Sequence, residues 1–128
     1  MEKCITEDIV VSVSTFFHPE NSNRSRNHYV HAYTIRIENK SDFTVQLLSR
    51  RWELTNAYLH KRLVEGSGVV GRQPILEPGQ IYEYTSGCDF DTEIGQMKGH
   101  YHMERLTDGK MIKVKVPAFC LVAPERLN

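Results

Sequence analysis

Apolar and polar residues alternate along most of this chain, a pattern typical of β-strands with one buried face and one solvated face. Near the N-terminus, Ile9, Val11 and Val13 fall on one side, while Ser12 and Ser14 fall on the other. Further extended runs occur at positions 29–39, 43–56, 61–65, 81–85, 97–104, 111–116 and 119–122. No window shows a helical stripe with caps, so the pattern predicts seven or eight strands and little helix.

Turn residues separate these runs. The segment 39–42 is polar, Pro78-Gly79 suits the two central positions of a turn, and Asp108-Gly109 suits a hairpin. Short strands joined by such turns predict an all-β fold, an antiparallel immunoglobulin-like β-sandwich. The bridged cysteine pair of immunoglobulin domains is missing from the sequence, which favours a fibronectin type III-like variant of the sandwich.

A chain of 128 residues is expected to form one domain, residues 1–128, with loosely ordered ends at 1–7 and 125–128. The 16 basic and 16 acidic side chains cancel, which argues against a nucleic-acid partner. Neither a signal core nor a run of ~20 apolar residues is present, so no membrane insertion is expected. The dispersed Cys4, Cys88 and Cys120 are typical of free thiols in a reducing cytoplasm.

The segment 66–71 reads Gly-Ser-Gly-Val-Val-Gly, which matches the glycine fingerprint of dinucleotide-binding folds. In those folds the last glycine opens a helix whose free amides hold a pyrophosphate. Here Pro74 and Pro78 follow closely, and proline removes an amide and disfavours helix at the residue before it. The glycines are therefore predicted to form a loop between strands.

Two hypotheses remain open for this loop. In the first, the glycines only permit a sharp connection with positive φ. In the second, successive amides form a nest around a pyrophosphate or nucleotide, and nearby cations add charge. The candidate anion-binding residues are Lys61, Arg62, Gly66, Ser67, Gly68, Gly71 and Arg72.

A second candidate group comprises His100 and His102, which would share a strand face with Lys98 and Glu104. Two imidazoles and a carboxylate are conceivable ligands for a transition metal. The neighbouring ammonium group would repel a cation, however, so a solvated strand face is favoured. No metal site is predicted, with the two histidines kept as the weak candidates.

Arg50 and Arg51 are candidate interaction residues, because Arg is enriched at interface hot spots. The adjacent Trp52 is expected to anchor the core, with Arg50 on its side and the guanidinium reaching solvent or a carboxylate. No catalytic residue is predicted. Ser86 lacks the glycine-flanked elbow of hydrolases, and acidic neighbours would raise the pKa of the Cys88 thiol.

Several short motifs, taken in their order, resemble the ApaG (CorD) family of bacterial proteins. They are YTI at 33–35, QLLSRRW at 46–52, GSGVVGRQP at 66–74, PG at 78–79, YTSG at 84–87, TEIGQMKG at 92–99, YHM at 101–103 and VPAF at 116–119. The resemblance covers about residues 11–124. The chain departs from the family pattern at 57–60, where family members often have Asp-Gly, and at Ser67, where proline is common.

The resemblance implies a fibronectin type III-like sandwich, a cytoplasmic bacterial protein, and a genetic link to cobalt tolerance and magnesium efflux. Similar domains in eukaryotic F-box and polymerase-delta-interacting proteins are usually read as interaction domains. We therefore expect a non-catalytic protein-interaction module without a cofactor, which binds a protein partner at an open sheet edge. A homodimer is left open. The alternative is a module that binds a phosphate-bearing small molecule at the glycine loop, and a weaker one is direct binding of a divalent cation.

Overall fold

The alternating segments pair into nine strands in a computed structural model, which describes residues 2–124. The strands are β1 (Glu2–Thr6), β2 (Ile9–Phe17), β3 (Tyr29–Asn39), β4 (Val45–Asn56), β5 (Lys61–Ser67), β6 (Ile75–Leu76), β7 (Ile81–Phe90), β8 (Ile94–Arg105) and β9 (Met111–Val122). Helical structure within residues 2–124 is limited to the single 3-10 turns Pro19–Asn21 and Arg24–Arg26. No helix in this described part is long and apolar enough to cross a membrane.

Two antiparallel sheets pack face to face. Sheet 1 has the order β1-β2-β3-β7, and sheet 2 has the order β5-β4-β8-β9, with β6 paired to the start of β4. This confirms the predicted antiparallel sandwich. Because apolar residues alternate along the strands, each sheet has one apolar face. The two apolar faces pack against each other and exclude water.

The strand count differs from the expected seven or eight for three local reasons. Residues 2–6, expected to be a loosely ordered end, form the edge strand β1 against β2. The two-residue β6 is too short to show a period. The runs 111–116 and 119–122 join into one strand, because a β-bulge opposite Lys98 absorbs Pro117 and Ala118. Residues 125–128 lie outside the described part.

An aromatic cluster fills the centre of the sandwich. Trp52 is 2% exposed, which confirms it as a core anchor, and its ring centroid lies 6.0 Å from Tyr33, 5.9 Å from Tyr101 and 6.4 Å from Phe119. All three contacts are edge-to-face, an arrangement that aromatic quadrupoles favour. The cluster ties β3 of sheet 1 to β4, β8 and β9 of sheet 2.

The two sides of the sandwich are different. On one side β1 lies beside β9, where the amide of Lys115 donates to Oγ1 of Thr6 at 3.1 Å. On the other side β5 and β7 are the outer strands of their sheets, and a cleft lies between them. The opening toward the core is therefore on the β5–β7 side.

His31 lies in the core of the sandwich. Its side chain is 1% exposed, packs against the rings of Phe17 and Phe90, and leaves Nε2 without a partner among residues 2–124. Burial lowers the pKa of His31, which favours the neutral imidazole at pH 7.

We predict an acid-dependent loss of stability from this histidine. Below its unfolded pKa of about 6.5, the unfolded chain takes up a proton that the folded state excludes. The free energy of unfolding should therefore fall by up to about 1.4 kcal/mol per pH unit below that value. Urea denaturation of the wild type and of His31→Leu from pH 7.5 to 5 measures the effect. An equal slope in both proteins would contradict the assignment.

Candidate functional site

The glycine segment continues β5 and then reverses the chain. Val69 and Arg72 exchange two backbone hydrogen bonds, of 2.8 and 3.0 Å, around the central residues Val70 and Gly71. Both central residues have positive φ, 48° and 74°, which defines a type I′ turn. The prediction of a loop between strands is confirmed, since β6 rather than a helix follows. Residues 66–73 are called the glycine turn below.

Two glycines of the turn leave space that neighbouring groups occupy. A Cβ on Gly68, whose φ is +60°, would lie 2.1 Å from the carbonyl oxygen of Arg72. A Cβ on Gly66 would lie 2.9 Å from Nη1 of Arg50, the residue paired with it on β4. By contrast, a Cβ on Gly71 would meet open space. Gly66 and Gly68 thus make room for a guanidinium and a carbonyl, respectively.

An anion nest presents free backbone amides to its ligand, whereas the glycine turn presents carbonyl oxygens to a cation. The amide of Gly68 donates to Leu48 O at 2.8 Å, and the amides of Val69 and Arg72 donate within the turn. The carbonyls of Ser67 and Gly68 instead accept from Nη1 of Arg50, at 3.0 and 2.9 Å. A pyrophosphate on these amides would have to break existing hydrogen bonds, so the geometry does not favour the nest hypothesis.

The predicted cations do not gather at the turn. Lys61 and Arg62 lie at the opposite end of β5, and Arg62 is about 13 Å from Gly66 along the strand. Lys61 pairs with Glu53 at 3.0 Å, and Nη2 of Arg62 donates to the carbonyl of Asp89 at 2.7 Å. Of the three candidate cations, only the exposed Arg72 belongs to the turn itself.

Arg50 and Arg51 have different environments, because neighbouring residues of a strand face opposite sides. Arg51 faces solvent on sheet 2 and pairs with Glu65 at 3.4 Å. Arg50 faces inward on the side of Trp52, as expected, but its guanidinium binds the carbonyls of the turn rather than solvent or a carboxylate. A β-bulge at Leu48 determines that Arg50 faces inward and Arg51 outward, because it places one extra residue in β4.

His100 and His102 lie together on the outer face of sheet 2, with their Nε2 atoms 3.2 Å apart. Their cross-strand partners on β9 are Lys115 and Lys113, and Arg51 lies opposite His100 on β4. Burial, followed by the charge of Lys113, lowers the pKa of His100. Within residues 2–124 there is no cluster of three or more His, Cys, Asp or Glu side chains suited to a metal ion.

The tertiary structure adds residues that sequence analysis missed. The phenols of Tyr33, Tyr84 and Tyr101 lie near the inward guanidinium of Arg50, and the hydroxyls of Tyr84 and Tyr101 form a short hydrogen bond between the two sheets. Burial raises the pKa of all three phenols, so they stay protonated at neutral pH. Only the register of the sheets brings them together, and no local motif indicates it.

The glycine turn carries backbone strain at Val70, because a β-branched residue is disfavoured at a φ of 48°. We predict that Val70→Asn, which creates the Asn-Gly pair preferred in type I′ turns, stabilises the protein by about 1 kcal/mol. This corresponds to a rise in Tm of roughly 4 °C. Thermal unfolding followed by circular dichroism measures it, and an unchanged or lower Tm would contradict the strain.

A matched pair of variants separates the close contact at Gly68 from the strain of positive φ, which Gly68 and Gly71 share. Gly68→Ala should cost about 3 kcal/mol, because its Cβ collides with a backbone carbonyl in the turn. Gly71→Ala should cost only about 1 kcal/mol, the strain of a positive φ in open space. Denaturant titration compares them, and equal losses would show that the contact at Gly68 is unimportant.

Comparisons with known proteins agree with the motifs. A family model described as the ApaG domain matches residues 19–105. Protein ApaG of Brucella abortus (strain S19) is 44% identical over 126 residues, which cover 98% of this chain and 96% of that protein. Protein ApaG of Paramagnetospirillum magneticum is 47% identical, with 96% of each chain covered.

Solved structures agree with the sandwich. The crystal structure of a Bordetella pertussis protein has a TM-score of 0.88 at 42% identity and covers 93% of this chain and 96% of that one. The C-terminal domain of wzt, at 5% identity and a TM-score of 0.57, covers 98% of this chain and 79% of that one and shares the fold alone. The family model and the full-length relatives together show that this chain belongs to the ApaG family.

Proposed function

We propose that this domain is a non-catalytic protein-interaction module that presents the glycine turn to a protein partner. The observation that carries the proposal is Val70, an apolar side chain that is 62% exposed at the tip of a type I′ turn. Its left-handed conformation costs about 1–2 kcal/mol. Strain of this kind persists where surrounding structure enforces it, and it is concentrated at functional sites.

The glycine turn is rigid as well as exposed. The hydrogen bonds from Arg50 hold its first carbonyls, and Nε2 of Gln73 donates to the carbonyl of Leu48 at 2.9 Å. A preorganised turn loses little conformational entropy on binding, which favours its use as a recognition element. Arg72 beside the tip and Ile75 after it, the latter 52% exposed, supply a charge and a further apolar contact.

The properties of Cys88, the potential nucleophile, support a function without catalysis. Burial raises the pKa of the Cys88 thiol to about 12, so the reactive thiolate is scarce at neutral pH. The link to cobalt tolerance and magnesium efflux implied by the resemblance is, in this proposal, exerted through the partner. We propose that the domain binds this partner in the cytoplasm.

Affinity capture with matched turn variants tests the proposal. Val70→Asn and Arg72→Glu should lose a partner that the wild type retains, and quantitative mass spectrometry of crosslinked complexes from the source cell measures the loss. Leu59→Asn is the control, because Leu59 is also an exposed aliphatic residue with positive φ, 77% exposed with φ 64°, in the turn at the other end of β5. If both turn variants capture the same proteins as the wild type, the glycine turn is not the interaction surface.

A further inference from the structure

We infer that the cleft between β5 and β7 is a binding site for a small molecule bearing a carboxylate or phosphate group, with Arg50 as its central cation. This site lies inside the mouth of the sandwich and differs from the exposed tip of the glycine turn. It is also not the amide nest considered for the loop, since side chains from both sheets supply its donors.

The cleft has the size and position of a ligand site. Its volume is about 290 Å³, and its inner wall includes Tyr33, Arg50, Trp52 and Ser86. A second cleft of about 300 Å³ continues toward His28 and shares Leu54, Arg62 and Asp89 with the first. Each cleft alone is at the lower end of the volumes typical of small-molecule sites, and together they form one groove along the open side.

Arg50 is a half-buried cation without a carboxylate partner among residues 2–124. Its described hydrogen bonds go through Nη1 to two neutral carbonyls of the glycine turn. A positive charge in the mouth of a sandwich is costly unless an anion compensates it. The guanidinium, whose planar donors match carboxylate and phosphate oxygens, therefore indicates an anionic occupant.

A second, independent feature is the indole of Trp52. The side chain is 2% exposed and Nε1 has no hydrogen-bond partner among the described residues. A Cβ built on Gly99 of β8 would lie 2.8 Å from Cε3 of this ring, so Cε3 faces β8. Nε1 is on the opposite edge of the indole, away from β8, and Trp52 forms part of the inner wall of the cleft. An unsatisfied buried donor costs about 1–3 kcal/mol, which an acceptor in the cleft would recover.

Hydroxyl donors complete the set. Tyr33 and Ser86 are cross-strand partners on β3 and β7, and both line the cleft. Because burial raises the pKa of Tyr33, its hydroxyl remains a donor at neutral pH. The carboxylate of Asp89 at the mouth is engaged by His28 at 3.1 Å and Arg62 at 3.7 Å. The Arg50 guanidinium, the indole N–H and the hydroxyl pair of Tyr33 and Ser86, which are hydrogen-bonded to each other, offer donors to acceptor oxygens.

Trp52 is the only tryptophan of the chain, so it reports directly on this site. We expect inorganic phosphate, pyrophosphate or succinate to shift the indole ¹H–¹⁵N resonance and the fluorescence saturably, with sodium chloride matching the ionic strength. The probe that saturates identifies the group as a phosphate or a carboxylate. Ser86→Ala and Tyr33→Phe, which leave the turn contacts intact, should each weaken binding about fivefold. Arg50→Lys should weaken it about tenfold or more.

Arg72→Gln is the matched control, because it removes a nearby charge outside the cleft and should leave the titration unchanged. The inference is overturned if none of the three probes gives a saturable change up to about 20 mM, a concentration well above millimolar affinity. It is equally overturned if the changes match those of sodium chloride or persist unaltered in Ser86→Ala and Tyr33→Phe. The partner-capture experiment with Val70→Asn does not depend on the result of the ligand titration. The proposal for the glycine turn and the proposal for the cleft can therefore be contradicted separately.

Discussion

The contact between the Arg50 guanidinium and the carbonyls of Ser67 and Gly68 is the interaction on which the glycine turn and the cleft both depend. It satisfies acceptors that β5 would otherwise leave free where the chain departs from the sheet. It also keeps a cation at the mouth of the sandwich, among three buried phenols. One side chain therefore orders the glycine turn outside and determines the charge of the cleft inside.

The glycine turn shows how a local constraint is maintained by its surroundings. Gly68 must lack a side chain because the carbonyl of Arg72 occupies that space, and this contact closes the turn at Val69. The turn holds Val70 in a left-handed conformation that is unfavourable for a β-branched residue. The strain is held by hydrogen bonds on both sides of the tip, which is why the apolar residue projects in a defined direction.

The asymmetry of the sandwich separates a structural surface from the side on which we propose a binding site. On the side of β1 and β9 the sheets approach each other, and the outer face of sheet 2 carries solvated ion pairs such as Arg51–Glu65 and Lys61–Glu53. Exposed pairs of this kind contribute little stability and no enclosed chemistry. On the side of β5 and β7 the sheets stay apart, so inward polar residues reach a groove that solvent can enter.

The sequence alone determined the sandwich class, the core position of Trp52 and the loop character of the glycines. Period-two alternation and proline chemistry are local properties that need no knowledge of neighbours in space. It could not predict β1 and β6, since edge pairing depends on the backbone of an adjacent strand. Nor could it predict the cleft. The pairing of β4 with β5 brings the Arg50 guanidinium to the carbonyls of the glycine turn, and the pairing of β3 with β7 places Ser86 opposite Tyr33. Only tertiary structure decides such contacts, because they join residues far apart in the chain.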